Sequence, residues 1–202
     1  MFYETQNHHG LKHDPFKSLI VPRPIGWIST RDRDGVVNLA PYSFFNGVCS
    51  NPPTVMFASD GTHVEGHFKD SATNARETGE FVCNLATWEL REAMNATSAN
   101  VARAVNEFEL AGLTPIPSRL VGPPRVMESP VHLECKHLQT VELPNNNPDC
   151  PTLVVFGRVV GIHIDERILK DGMIDMDVFK PIARLGYMDY SMVDNVFTMQ
   201  RP

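Results

Sequence analysis

The chain has 202 residues, 42% hydrophobic and 21% charged, with 18 Lys and Arg against 24 Asp and Glu for a formal net charge of -6. That balance suits one globular domain with a sizeable core, and it argues against nucleic acid or an anionic membrane as the main partner, because phosphates reward clustered Lys and Arg and no such cluster occurs. No apolar run reaches the ~18 residues of a membrane span, and the start, MFYETQNHHG, lacks the basic-then-apolar pattern of a secretory signal, so a cytoplasmic protein is expected.

Residues 1–17 read as an N-terminal arm and 18–202 as a single domain. His8, His9 and His13 stand close together in the arm. No Cys or carboxylate pattern accompanies them, so a surface arm, able to cover a site, is favoured over a metal site. The cysteines (Cys49, Cys83, Cys135, Cys150) are widely spaced and form no zinc pattern. Cys83 and Cys135 lie in apolar runs and read as buried thiols.

Pro22 and Pro24 hold the chain extended around Arg23. Ile25 to Thr30 then predicts a strand, and RDRDG a hairpin turn, because the Gly of Asp-Gly accepts a positive φ. Val36 to Ser43 is the return strand. Pro41 cannot donate to a ladder, so the pairing is expected to break there and leave main-chain groups for a planar ligand. Asn46-Gly47 and Asn51-Pro52-Pro53 mark the next loop, and Thr54 to Ser59 a third strand.

Asp60 to Phe68 is a polar loop with His63, Glu65 and His67. Its glycines oppose a helix that would bring the two His to one face, so a solvated or ligand-gating loop is expected. Asp70 caps a helix over Ser71 to Thr78 that Gly79 ends. Lys69 beside that helix start makes either an anion site or an ordinary capped helix with a solvated lysine.

Glu80 to Leu85 is a strand. Thr87 caps a helix from Trp88 to about Ala96, with Leu90, Ala93, Met94 and Thr97 on its core face. Residues 99–125 form a Pro-rich covering excursion. Val131–Leu143 and Thr152–Asp165 pair as long strands around the PNNNP turn, with Gly157 and Gly161 as bulge points that let a sheet curl. Asp171-Gly172 is a turn, a short helix lies near Asp177 to Lys180, and Ala183 to Ser191 is the last strand. The sum is mainly β, with a few short helices: a six- or seven-stranded antiparallel barrel.

In order along the chain, RPIGWIST, NLAPYSFFNGVCSNPPTVMF, KDSATNARETGEFVCN, PRVMESPVHLEC, LVVFGRVVGIHID and the ARLGYMDYS ending resemble the flavin reductase-like family with the FMN-binding split barrel. The NLAPYSFF form is similar to its flavoredoxin branch. The match spans residues 18 to 190. The resemblance implies a split-barrel homodimer that binds FMN without a covalent link. It implies a phosphate site at Ser29, Thr30, Lys69, Asp70 and Ser71, with Asn74 near. It sets the flavin ring against Asn38 to Ser43 (Asn38, Ala40, Pro41, Tyr42, Ser43), with Ser50 following.

FMN would then take hydride from NADH or NADPH, with the protein supplying position and hydrogen bonds. No GxGxxG fingerprint is present. The expected activity is NAD(P)H-dependent FMN oxidoreduction, with electrons passed to flavin, an iron complex or a small organic acceptor. A non-catalytic FMN electron carrier and a flavin enzyme for one aromatic or nitroaromatic substrate are the other readings. His63 and His67 are candidates to protonate a reduced acceptor. No metal is expected.

Overall fold

The structure is a computed structural model that describes residues 1–66, 68–147, 149 and 151–202. Expectations that rest on His67, Cys150 and Pro148 lie outside the described residues. Seven strands form one antiparallel sheet: β1 (Gly26–Arg31), β2 (Val37–Tyr42), β3 (Phe45–Ser50), β4 (Pro53–Asp60), β5 (Glu80–Leu85), β6 (Val131–Leu143) and β7 (Thr152–Ile164). Their order is β2-β1-β5-β6-β7-β4-β3. The two edge strands, β2 and β3, are joined in sequence by Ser43 and Phe44 alone. A link that short spans about 10 Å, so the sheet must curl until its edges approach, which makes it a barrel.

The glycines of β7 permit the curl. The β6–β7 register slips at Phe156/Gly157 and again at Val159/Gly161, as the sequence predicts. Gly157 also has a packing reason: a Cβ there would sit 2.3 Å from the Phe81 ring.

β1 is buried on both faces, so its side chains serve two cores. Ile28 points into the barrel with Phe57, Phe81, Cys83, Cys135 and Val155, and the Asp70–Thr78 helix adds Ala72 and Ala75 to the same cluster. Trp27, on the opposite face, packs with Leu39, Met94, Phe108 and Val126. Burying the Trp27 indole requires a partner for its N–H, and Thr97 Oγ1 accepts it at 2.8 Å. Leu90 and Ala93 join Met94 against this second core, as their spacing implies.

The 99–125 excursion lids this second core, and buried polar groups fasten it. Asn84 accepts the Val126 amide at 2.9 Å, and Glu134, fully buried, accepts the amides of Arg119 and Leu120 and His163 Nε2 at 2.6 Å. Burial alone would raise the Glu134 carboxyl. The amide and imidazole bonds outweigh it and hold it below the usual range.

Several local expectations change. Asn46-Gly47 lies inside β3, not in a loop; the edge is accommodated by a bulge between Gly47 and Cys49. Pro41 does not break the pairing: the β1–β2 register runs unbroken through Trp27↔Pro41. β2 is an edge strand, so a residue without an N–H is tolerated where that group would face away from the ladder. The helix expected from Trp88 begins at Arg91. The expected last strand is two short ones, Ile182–Arg184 and Tyr190–Met192, which pair with each other, the first also pairing with Arg23–Pro24.

Gly157→Ala should destabilise the protein by about 1–3 kcal/mol through overpacking against Phe81, read as a lower urea midpoint. Burial pushes the His132 imidazole down to about 4. The unfolded chain therefore takes up this proton first as pH falls. Stability should drop by up to about 3 kcal/mol between pH ~6.5 and ~4, and urea titrations of His132→Gln should show a smaller drop.

Candidate functional site

A cavity of ≈ 280 Å³ opens between β2 and the segment Thr97–Val101. One wall is the run Ala40, Pro41, Tyr42, Ser43 and Phe44. His63, Lys69, Asp70 and Glu107 are its other charged or titratable neighbours, with Lys17 and Asp60.

The β2 wall is set by the hairpin before it. Asp32 Oδ1 accepts the amides of Asp34 and Val36 at 2.9 and 2.8 Å, and Gly35 takes φ +91. Because β2 is an edge, its outward main-chain groups face the cavity side rather than another strand. The Leu39 amide shows that side already in use: it donates to Glu107 Oε2 at 3.1 Å, while Glu107 Oε1 accepts from Asn38 Nδ2 at 2.9 Å. Pro41, two residues on, has no N–H. Burial raises the Glu107 carboxyl above its usual range against these two bonds. Burial likewise pushes Tyr42 up to about 12, opposed by hydrogen bonds with Ser71 and Ser59.

The helix whose start reaches the cavity runs Asp70–Thr78. Lys69, not Asp70, is its N-cap residue, in extended conformation and with no side-chain cap. Gly79 ends it at φ +77, its amide bonded to the Ala75 carbonyl. Asp70, the first residue of the helix, pairs instead with Arg103. That guanidinium also reaches Asp32 Oδ2 at 3.1 Å and Asn74 Oδ1 at 3.0 Å. One cation thus ties the helix start to the β1–β2 hairpin. Burial disfavours the Arg103 cation, but Asp70 and Asp32 outweigh burial and raise it above its ordinary value. His63 Nε2 lies 3.4 Å from Asp70 Oδ2.

The structure brings Asn38, Ala40, Pro41, Tyr42, Ser43, Lys69, Asp70 and His63 together on this cavity. Ser71 stands just behind, donating to Asn38 Oδ1 at 2.7 Å. Ser29 and Thr30 are fully buried, and consecutive residues of a strand face opposite sides. Ser29 bonds the Pro124 carbonyl on the lid side, and Thr30 accepts from Asn74 on the helix side at 3.1 Å. Neither lines the cavity, nor does Asn74. Ser50 is exposed at the far end of β3, beside the Asn51–Pro52 turn. The sequence reading missed Lys17, Thr97–Val101, Arg103 and Glu107. Its one signal was the run of polar residues within an excursion read only as a cover. Among the described residues no group of three or more His, Cys, Asp or Glu could hold a metal, and no helix is long and apolar enough to cross a membrane.

The architecture is that of a small antiparallel β-barrel with a cavity on its edge strand and Lys69 at a helix start. The flavin reductase like domain matches residues 18–189. An uncharacterized protein of Aquifex aeolicus is 40% identical over 169 residues, 83% of each chain. The solved structure of nitrilotriacetate monooxygenase component B from Bacillus cereus is 32% identical with a TM-score of 0.89, covering 98% of both chains. Flavoredoxin of Desulfovibrio vulgaris (Miyazaki F) shares the fold at 19% identity and a TM-score of 0.75, covering 98% of this chain and 97% of its own. The chain belongs to the flavin reductase-like family and has its split-barrel fold.

Replacing Arg103 with Met leaves Asp70 and Asp32 without their cation. Because Arg103 is partly exposed, the loss should be about 2–3 kcal/mol, below the ~3–5 of a fully buried pair. Asp32 is held below the usual carboxylate range: burial opposes this, but the Val36 and Asp34 amides and Arg103 outweigh it. Stability from such a carboxylate is present above its unfolded pKa and lost as pH falls through the folded one. The gap between variant and wild type in urea denaturation should therefore close below pH ~4.

Proposed function

We propose that the protein is an FMN-binding oxidoreductase, a cytoplasmic homodimer that uses NADH or NADPH to reduce bound flavin and passes the electrons to flavin, an iron complex or a small organic acceptor. The observation that carries this reading is the meeting of two features on one cavity: the outward edge of β2 and the start of the Asp70–Thr78 helix with Lys69 beside it.

Each feature suits one part of FMN. Amides in a helix's first turn have no partner within the helix, and the dipole there favours an anion. Lys69, whose Nζ is 3.2 Å from Asn100 Oδ1, adds a full positive charge for a phosphate. Arg103 neutralises Asp70, which would otherwise repel that phosphate. On the β2 edge the Leu39 amide is taken by Glu107 and Pro41 has none, so carbonyl oxygens dominate. Such an edge can accept the hydrogen bond of a planar ring that carries an N–H, as the flavin ring does. When bound, FMN would supply reversible acceptance of hydride and of single electrons. The chain's own part is to bind, orient and shield. Asn38, fixed by Glu107 and Ser71, and the main chain of Ala40 to Ser43 would hold the ring. Lys69 and the Ser71 helix turn would hold the phosphate, with Ser29, Thr30 and Asn74 buttressing the strand and helix behind them. His63, on the cavity wall beside Asp70, is the proton donor this reading offers an acceptor.

Purified protein incubated with FMN and desalted should be yellow, and should bleach anaerobically with NADH or NADPH. Colour without bleaching would leave only the electron-carrier reading. Lys69→Glu should weaken FMN binding at least about tenfold, ~1.4 kcal/mol, by fluorescence titration at low salt. An unchanged dissociation constant would move the phosphate elsewhere.

A further inference from the structure

A second cavity, of ≈ 400 Å³, adjoins the first. Lys17, Pro41, Ser43 and Ser98 border both cavities, so the two are contiguous. Their charges differ. The first is lined by Asp60, Asp70 and Glu107 as well as Lys17 and Lys69. The charged residues of the second are Lys17, Arg23 and Arg184, with no carboxylate. In a chain of net charge -6 this is a local concentration of cations.

Arg23 is 5% exposed. Its guanidinium donates to the carbonyls of Lys17, Ile20 and Leu185 and to Ser43 Oγ, all neutral acceptors. Arg184 donates to the Tyr187 carbonyl and stacks 4.4 Å from the centre of the Tyr190 ring. Neither arginine forms an ion pair with a carboxylate among the described residues. A buried cation without a counter-charge is costly, and the two arginines disfavour each other: burial and Arg184 both lower Arg23. An anion entering the cavity would supply the counter-charge that both arginines lack.

Two tyrosines, Tyr187 and Tyr190, also line this cavity. Tyr187 holds φ +56, a left-handed conformation unusual for a residue with a side chain. The turn is pinned because Gly186 lies against Ser18, where a Cβ would come within 1.9 Å of the Ser18 hydroxyl. Both tyrosines line the cavity together with Arg184.

We propose that this second cavity is the subsite for the anionic group, phosphate or carboxylate, of a planar-ring redox partner whose ring reaches across Pro41 and Ser43 into the first cavity. The inference rests on the FMN reading of the first cavity for what the partner does there, not for the anion site itself. Arginine is suited to both anions, since its planar fork pairs with two oxygens at once. The ring is either that of a nicotinamide nucleotide, carrying phosphate, or that of an aromatic acid acceptor, carrying carboxylate.

The test is calorimetric titration of FMN-loaded protein with nicotinamide mononucleotide, with benzoate, and with uncharged benzamide as control, repeated on Arg184→Gln and Arg184→Lys. Arg184→Gln should weaken binding of at least one anionic probe about tenfold or more, equivalent to ~1.4 kcal/mol, with Arg184→Lys recovering part of it. Benzamide binding and FMN affinity should not change. Loss with nicotinamide mononucleotide assigns the subsite to the donor's phosphate, and loss with benzoate assigns it to an acceptor's carboxylate. If neither anionic probe binds, or if Arg184→Gln binds both as wild type does, the subsite is wrong. If the protein takes up no FMN, the proposed function fails. The same titrations on flavin-free protein then still decide whether Arg184 holds an anion.

Discussion

Burial of the Gly26–Arg31 strand on both faces is the constraint on which the rest of this structure depends. A strand with one wet face can alternate polar and apolar residues; one with two dry faces must supply every side chain with a partner. Ile28 enters the barrel core and Trp27 the lid core, so the two cores are assembled back to back through a single strand. The polar residues are equally committed. Ser29 is held by Asn84 and the Pro124 carbonyl, and Thr30 by Asn74. The lid and the helix are thereby drawn to opposite sides of one strand, and the cavity forms where both reach past its neighbour, β2.

That arrangement gives polar residues near the cavity two separate tasks. Some shape it from behind; others face it. Arg103 belongs to the first group, joining Asp70, Asp32 and Asn74, and it fixes where the helix start and Lys69 lie relative to β2. Glu107 does the same for Asn38. Both come from the excursion that crosses the second core, so the segment that covers hydrophobic surface also supplies the groups that orient the wall. The split in charge between the two cavities follows from the same layout. Carboxylates come in from the helix, β4 and the lid, whereas the arginines come from the Arg23–Pro24 and Ile182–Arg184 pair.

Much of the fold was legible in the primary structure. Strand Glu80–Leu85 and the long Val131–Leu143 and Thr152–Ile164 pair were readable because period-two patterns, bulge glycines and turn residues act locally. The same holds for the left-handed Gly79 stop. Pro41 and Asn46-Gly47 misled for a common reason. Each is a breaker of ladders by local chemistry, yet each sits on an edge strand, where half the main-chain groups have no ladder to break. Whether a strand is an edge is decided by the order of the whole sheet, which no window of sequence contains.

The cavity divides in the same way. Composition, strand pattern and the ordered motifs determined by themselves a mainly β barrel of the flavin reductase-like family, and they marked Asn38 to Ser43 and Lys69 as one neighbourhood. Only the tertiary structure separated Ser29 from Thr30, because two adjacent residues look alike in sequence until both faces of their strand are seen to be covered. Only the tertiary structure brought Arg103 to Asp70 and Glu107 to Asn38, contacts 33 and 69 residues apart. It alone set Arg23 beside Arg184, 161 positions apart in sequence and directly paired across two short strands. The reason is physical: hydrogen-bond and turn preferences act over a few residues, while the position of a buried charge is chosen by whatever else the fold has already enclosed.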